Sequence, residues 1–266
     1  MSKYKPEGDL VTKPPALHPD PSKTLIGQHG IRLVPTTKDH FHGLFASVCG
    51  PENDDLWTYM PSGPHRTVEA FSATLTARME DDEWLLYTIF PTSSFIPSQV
   101  SSSQIIAAVK APTSAIAPMP LGIICLINFS PANLSIEIGH VLYAKSLQRT
   151  PASTEATYML LRYAFEELGY ARVVWKANSW NVPSRRAAVR LGFVEEGTFR
   201  KHLVVKGVRR DSVWFSCIDD EWFLQGRGSV KAGLEGWLEK SNFDEKGIQI
   251  RKLEDIRNSL TEGGQA

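Results

Sequence analysis

Two periods of apolar recurrence divide this chain. The helical spacing of three and four puts Phe41, Leu44, Phe45 and Val48 on one face, and Val68, Phe71, Leu75 and Met79 on another. A third helix carries Leu161, Ala164, Phe165 and Leu168 at i, i+3, i+4 and i+7, with Gly169 placed to end it. A fourth is predicted over NVPSRRAAVRLGF: Asn181 stands at its N-cap, Pro183 in its first turn and Gly192 just past its end. Strand-like runs fill the gaps: GIRLVP (30–35), EWLLYTIF (83–90), then LGIICLINF (121–129) and LSIEIGHVLY (134–143) as a hairpin around SPAN. ARVVWKAN follows, and FRKHLVV and DSVWFSCI form a last hairpin turning at KGVRR. The order β-α-α-β-β-β-α-β-α-β-β predicts an α+β sandwich, and no G-x-G-x-x-G fingerprint points to a dinucleotide fold.

Three segments fall outside the pattern. Residues 1–25, rich in proline and lysine, are expected to be a flexible arm. Residues 91–119 are Ser/Pro-rich with one candidate strand, QIIAAVK, and are expected to be an insertion, a lid or partly disordered. Beyond residue 225 the chain turns polar, leaving two amphipathic patches, LEGWLEK and IRKLEDIRNSL. These patches suit either a dimer contact through Trp237 and Leu238 or a tail packed on its own domain.

Composition narrows the function classes. Charge balances at 29 basic against 29 acidic residues, with a pI near 7.1, so nothing global draws the chain to nucleic acid or a membrane surface. No run approaches the roughly 18 apolar residues of a spanning helix, and the N-terminus lacks a signal-peptide core. Cys49, Cys125 and Cys217 are odd in number and far apart, the usage of reduced thiols. These features set the expectation of a soluble, intracellular, cytoplasmic protein. No cluster has metal-ligand spacing, so no metal is expected.

Residues 134–216 carry a resemblance. IEIGHVLY, then a loop and TEA, then NVPSRRAAVRLGFVEEGTFR and RRDSVWFS, resemble the GNAT N-acetyltransferase superfamily, and within it the ribosomal-protein alanine acetyltransferase branch. LWTYMPSGPH and DDEWLLYTIF also fit, so the resemblance covers about residues 27–222. It implies a single domain over 26–225, a mixed and mostly antiparallel sheet flanked by helices in an α/β/α sandwich, and residues 226–266 as an extension. It also implies transfer of an acetyl group from acetyl-CoA to a primary amine, of a small molecule or of a protein N-terminus. Homodimerisation stays open, a membrane partner is not expected, and nucleic acid is a minor rival resting on the basic stretch 185–210.

The resemblance also implies site residues. The loop and helix start at 146–154 would cradle the cofactor's pyrophosphate, because a helix N-terminus offers free N–H groups and a positive dipole end. Two positions where the family carries glycine hold Arg149 and Pro151 here, and proline has no N–H to give. The Arg149 guanidinium, or the Thr150, Ser153 and Thr154 hydroxyls, are expected to replace the lost donor, with Tyr143 and Gln148 also expected to bind the cofactor; the rival is a solvated Arg149 and an ordinary N-cap at Ser153. Asn181 and Ser184 would contact the pantetheine arm and phosphates, and Arg185 or Arg186 the nucleotide end; the rivals are a plain capped helix for the first two and a solvated face for the arginines. Glu137, a carboxylate inside an apolar strand, is the candidate general base; the rival is an outward or salt-bridged glutamate. Period two sends His140 to the opposite face from Glu137. The tyrosine that serves many superfamily members as general acid is Ala188 here. Trp57 and Tyr59 lie where the acceptor pocket forms, or else anchor their own loop. The altered loop and missing tyrosine keep a non-catalytic binding module as the alternative function.

Overall fold

The computed structural model describes residues 8, 10–97, 118–245 and 247–260. Its eight strands form one sheet in the order β1-β2-β3-β4-β5-β6-β8-β7. They are β1 (Leu25–Ile26), β2 (Ile31–Pro35), β3 (Trp84–Pro91), β4 (Gly122–Ser130), β5 (Ser135–Tyr143), β6 (Arg172–Asn178), β7 (Val194–Val205) and β8 (Val208–Ile218). Neighbours are antiparallel except β5 and β6, which run parallel. The helices are α1 (Phe41–Val48), α2 (Val68–Met79), α3 (Pro151–Arg162), α4 (Val182–Leu191), α5 (Asp219–Phe223), α6 (Val230–Leu238) and α7 (Leu253–Ser259).

Helices cover both faces, which explains why β4 reads as an unbroken apolar run rather than an alternating one. Ile124 and Leu126 point into the core under α3, while Ile123, Cys125 and Ile127 point into the core under α1 and α2. The α3 core also takes Ile136 and Ile138 of β5 and Val173, Trp175 and Ala177 of β6. The alternate residues of those strands, Glu137 and Lys176 among them, therefore face the α1/α2 side.

Both chain ends pack more than their composition suggests. Ala16 N–H donates to the Pro131 carbonyl at 3.1 Å, Leu17 N–H to Leu168 at 2.8 Å, and Asp20 N–H to the Tyr163 hydroxyl at 2.9 Å. The stretch at 16–20 is thus tied down by backbone pairing, unlike the expected free arm. At the other end Val230, Leu234, Trp237, Leu253 and Ile256 are buried in the α3 core. Trp237 and Leu238 are consequently spent inside their own domain and not left for a second copy. The α4 terminus is built against this extension: Gly192 has φ +104°, and a Cβ there would meet Arg257 at 2.7 Å and Val230 at 2.9 Å. QIIAAVK lies outside the described residues.

Candidate active site

Strands β5 and β6 pair only over Ser135–Arg172, Ile136–Val173 and Glu137–Val174, and then part. A cleft of about 170 Å³ opens where they separate. Ile138, Gly139, His140 and Val141 line it from β5, Trp175 to Asn178 from β6, and Tyr59, Met60 and Pro61 from the α1–α2 connection. Glu137 sits at the apex, and Asn181, Ser184 and Arg210 complete the lining. Backbone groups on the diverging edges of β5 and β6 have no strand between them, the arrangement that lets a linear amide-bearing chain lie there.

Glu137 is buried and held from one side only. Its Oε2 accepts from Asn128 Nδ2 at 2.7 Å and pairs with Lys176 Nζ at 2.7 Å. Its Oε1 has no hydrogen-bond partner among the described residues and points toward Gly139, where a Cβ would lie 3.3 Å from it and 2.6 Å from Ile127 Cδ1. Glycine at 139 therefore keeps the approach to Oε1 open. The glutamate is salt-bridged, as the rival reading expects, and it also faces the cleft.

His140 departs from strand alternation. Between Gly139 and Leu142 β5 advances three residues while β4 advances two, and His140 adopts φ +49°. This bulge turns the imidazole to the same side as Glu137, against Trp84 at 5.5 Å edge-on. Burial, with the Arg78 charge adding to it, pushes its pKa down to about 4, so the ring is neutral near pH 7.

β5 leads on into the loop before α3. Arg149, Thr150, Pro151, Ser153 and Thr154 line a recess of about 550 Å³ at the α3 N-terminus, faced by Arg190 of α4 and by Trp237, Phe243 and Gln249 of the C-terminal extension. Arg149 has φ +61°: the backbone keeps the left-handed conformation that glycine favours, although the side chain is arginine. Arg190 donates to Thr154 Oγ1 at 2.9 Å and its guanidinium lies 4.5 Å over the Trp237 ring. Burial holds its pKa below the ordinary arginine value.

Two of the three expected hydroxyl donors, Thr150 and Ser153, are occupied. Thr150 Oγ1 donates to the Leu147 carbonyl at 2.6 Å and accepts from Ser153 N–H; Ser153 Oγ donates to the Thr150 carbonyl at 2.7 Å; Thr154 Oγ1 accepts from Arg190. Thr150 and Ser153 bond within the α3 start, whereas Thr154 is engaged by Arg190 across the recess. Gln148 Nε2 turns back to the Tyr143 carbonyl at 3.1 Å, and the Tyr143 hydroxyl donates to the Ser153 carbonyl at 3.4 Å, so neither lines the recess. Asn181 Oδ1 accepts from Ser184 N–H at 3.1 Å and Ser184 Oγ from Trp175 Nε1 at 3.0 Å: capped helix and cleft lining coexist. Arg185 lies apart from both, donating to the Ser179 carbonyl and pairing with Glu195 at 3.5 Å.

Of the two aromatic acceptor-pocket candidates only Tyr59 reaches the cleft. Trp57 is 2% exposed, packs in the α1/α2 core against Phe71, and donates Nε1 to the Val48 carbonyl at 2.7 Å. Its indole anchors the loop. Lys206, at the β7–β8 turn, donates to the Trp57 carbonyl at 2.7 Å and ties that hairpin across the same side. Ala188 is fully buried. Asn128, Lys176, Arg190 and Arg210 escaped the sequence reading because each acquires its role from a partner on another element.

A family model described as acetyltransferase (GNAT) domain matches residues 31–194. A crystal structure of a GCN5-related N-acetyltransferase from Brucella melitensis superposes with a TM-score of 0.78 at 32% identity, covering 93% of this chain and 99% of that one. YdaF of Bacillus subtilis (strain 168), named as a candidate ribosomal N-acetyltransferase, is 40% identical over 101 residues, 38% of this chain and 55% of that protein. The chain spans about half the length of the curated relatives it matches. Microcin C7 self-immunity acetyltransferase MccE, solved in complex with acetyl-CoA and AMP, shares the fold alone: 18% identity, TM-score 0.54, covering 71% of this chain and 92% of that one.

Proposed function

This chain is a member of the acetyltransferase (GNAT) family, and on that premise we propose that it transfers an acetyl group from acetyl-CoA to a primary amine of a small molecule or a protein N-terminus. The observation that carries the reading is the parting of β5 and β6 immediately after Glu137, with one carboxylate oxygen free at the apex. The residues present fit the co-substrate. The recess at the α3 N-terminus has two guanidinium groups for a diphosphate, Arg149 and Arg190, and the cleft between the strands is narrow and lined by backbone. Acetyl-CoA supplies an activated acyl thioester; the protein has to place an uncharged amine beside it.

Glu137 accepts the amine's proton through Oε1, directly or through one water. Lys176 and Asn128 fix the carboxylate so that this oxygen, and not the other, faces the cleft. Asn181 and Ser184 border the thioester arm's path, and Tyr59, Met60 and Pro61 bound the acceptor end. The test is amine-dependent release of free thiol from acetyl-CoA. Release that collapses in Glu137→Gln, with acetyl-CoA affinity retained, is expected. Acetyl-CoA binding without amine-dependent release from any acceptor would replace the reading with a non-catalytic binding module.

A further inference from the structure

The acceptor end of the cleft carries more positive charge than its chemistry needs. Among the lining residues Glu137 is the one carboxylate, against Lys176 and Arg210. Lys176 is spoken for: it pairs with Glu137 and lies 4.1 Å over the Trp214 ring. Arg210 is not. Its Nε is buried without a hydrogen-bond partner, and it forms no ion pair with any described residue. Burial lowers its pKa, and Glu137 only partly offsets this through space. A half-buried guanidinium whose Nε is buried and unused is costly unless a ligand completes it.

Its position in the sheet separates it from the thioester side. β8 pairs with β6 in unbroken register from Arg172–Ile218 to Asn178–Ser212. Val213, Phe215 and Cys217 point into the α3 core, so Ser212 and Trp214 face the α1/α2 side, and Arg210, two residues before Ser212, continues that row. Lys176 and Glu137 face the same side. Arg210 thus stands in the acceptor half, beyond the carboxylate that takes the proton.

We infer that the acceptor is an amine that also carries an oxyanion, a carboxylate or a phosphate, and that Arg210 is the specificity-determining residue that pairs with it. The inference rests on the acetyl-transfer reading and names its substrate class. The electrostatics agree at each step. A net-positive lining disfavours the ammonium form and so favours the neutral amine that attacks. A second ammonium, as in a polyamine, adds like charge in a confined space. An anion on the acceptor cancels the excess, and the planar guanidinium fork takes either oxyanion with two parallel hydrogen bonds.

The experiment compares kcat/KM for matched acceptors at saturating acetyl-CoA: alanine with alaninamide, alanyl-aspartate amide with alanyl-asparagine amide, phosphoethanolamine with ethanolamine, and spermidine. Wild-type protein is expected to prefer the anionic member of at least one pair by roughly tenfold, mainly through KM, with spermidine poorest. The pair that shows the preference tells carboxylate from phosphate. Arg210→Gln brings the ratio near one, and Arg210→Lys restores part of it, which loss of folding alone would not do. Where turnover is too slow to read, the same ratios are taken from the melting shift each amine adds to the CoA-bound protein. Ratios near one in every pair, or a preference that survives Arg210→Gln, would overturn the inference. Failure of acetyl-CoA to bind would instead sink the reading beneath it.

Discussion

Lys176 Nζ and Glu137 Oε2 are 2.7 Å apart, and the pairing leaves Glu137 Oε1 free beside Gly139. A buried carboxylate needs a counter-charge to stay ionised, and a base needs a lone pair that nothing else occupies. Dividing the two demands between the two oxygens satisfies both. Glu137→Gln keeps the shape and removes the proton acceptor, so kcat is expected to fall by about 10² to 10⁴. Gly139→Ala sets a Cβ against Ile127 and crowds Oε1, and a loss of kcat with little change in acetyl-CoA affinity is expected. Steady-state kinetics on both variants beside an equilibrium titration check this.

Arg149 offers effects in opposite directions. It holds the left-handed conformation of a glycine position, a strain of about 1 kcal/mol for an arginine. Arg149→Gly relieves the strain but adds unfolded-state entropy, so stability is expected to change by less than about 1 kcal/mol. Acetyl-CoA affinity is expected to fall about tenfold, because a phosphate partner is lost while the backbone is unchanged. Denaturant unfolding and calorimetric titration separate the two.

Glu155 is a structural carboxylate next to the proposed co-substrate site. It is 3% exposed and accepts from Gln28 N–H at 2.6 Å and His29 N–H at 2.9 Å, and Gly27 leaves no room for a Cβ beside it. The helix that presents the phosphate recess is thereby fastened to the β1–β2 turn. Glu155→Ala orphans both backbone donors, and a loss of about 2–4 kcal/mol in unfolding free energy is expected by urea denaturation.

His140 makes stability depend on acid. Its folded pKa of about 4 lies below the unfolded value near 6.5. The unfolded chain therefore binds this proton first as pH falls. Stability from this group is fully present above about pH 6.5 and is lost on the way down to about pH 4, by about 3 kcal/mol in all. His140→Asn is expected to flatten the wild-type curve of unfolding free energy over that window, and the difference between the two curves isolates the histidine from the carboxylates.

Removing the C-terminal extension tests whether it is an appendage. Val230, Leu234 and Trp237 of α6 lie in the same core as α3, and each buried large apolar side chain contributes on the order of 1.5–3 kcal/mol. A chain ending at residue 226 is expected to lose cooperative thermal unfolding, not merely to melt a little lower. Calorimetry distinguishes the outcomes.

The elements were legible because their signals are local. Asn181 and Gly192 bracket α4 as cap chemistry predicts; of the predicted stripes Phe41, Leu44, Val48, Phe71, Leu75 and Leu161 are buried, Phe45, Val68 and Met79 are half-buried, and Ala164 and Phe165 are buried in a π turn that follows α3. What escaped depends on distance partners or on one extra residue. The bulge at His140 reverses a period-two argument that is sound for a regular strand. Trp57 stayed open between pocket lining and loop anchor because burial under α2 is not visible from its Pro/Gly surroundings. Residues 16–20 looked free because backbone pairing to Pro131 and Leu168 leaves no mark in composition. Arg190 and Arg210 were two among many basic residues until the sheet set one beside Trp237 and the other in a cleft without a partner.

On the proposed acetyl-transfer reading, the α3 N-terminus and the β5–β6 cleft together bind acetyl-CoA despite Arg149 and Pro151 at glycine positions. Calorimetric titration with acetyl-CoA, on wild-type protein and on Arg190→Met, tests it most directly. Saturable micromolar binding is expected, weakened roughly tenfold or more in the variant and competed by adenosine diphosphate. Absence of binding at millimolar acetyl-CoA, in protein that still unfolds cooperatively, would contradict it.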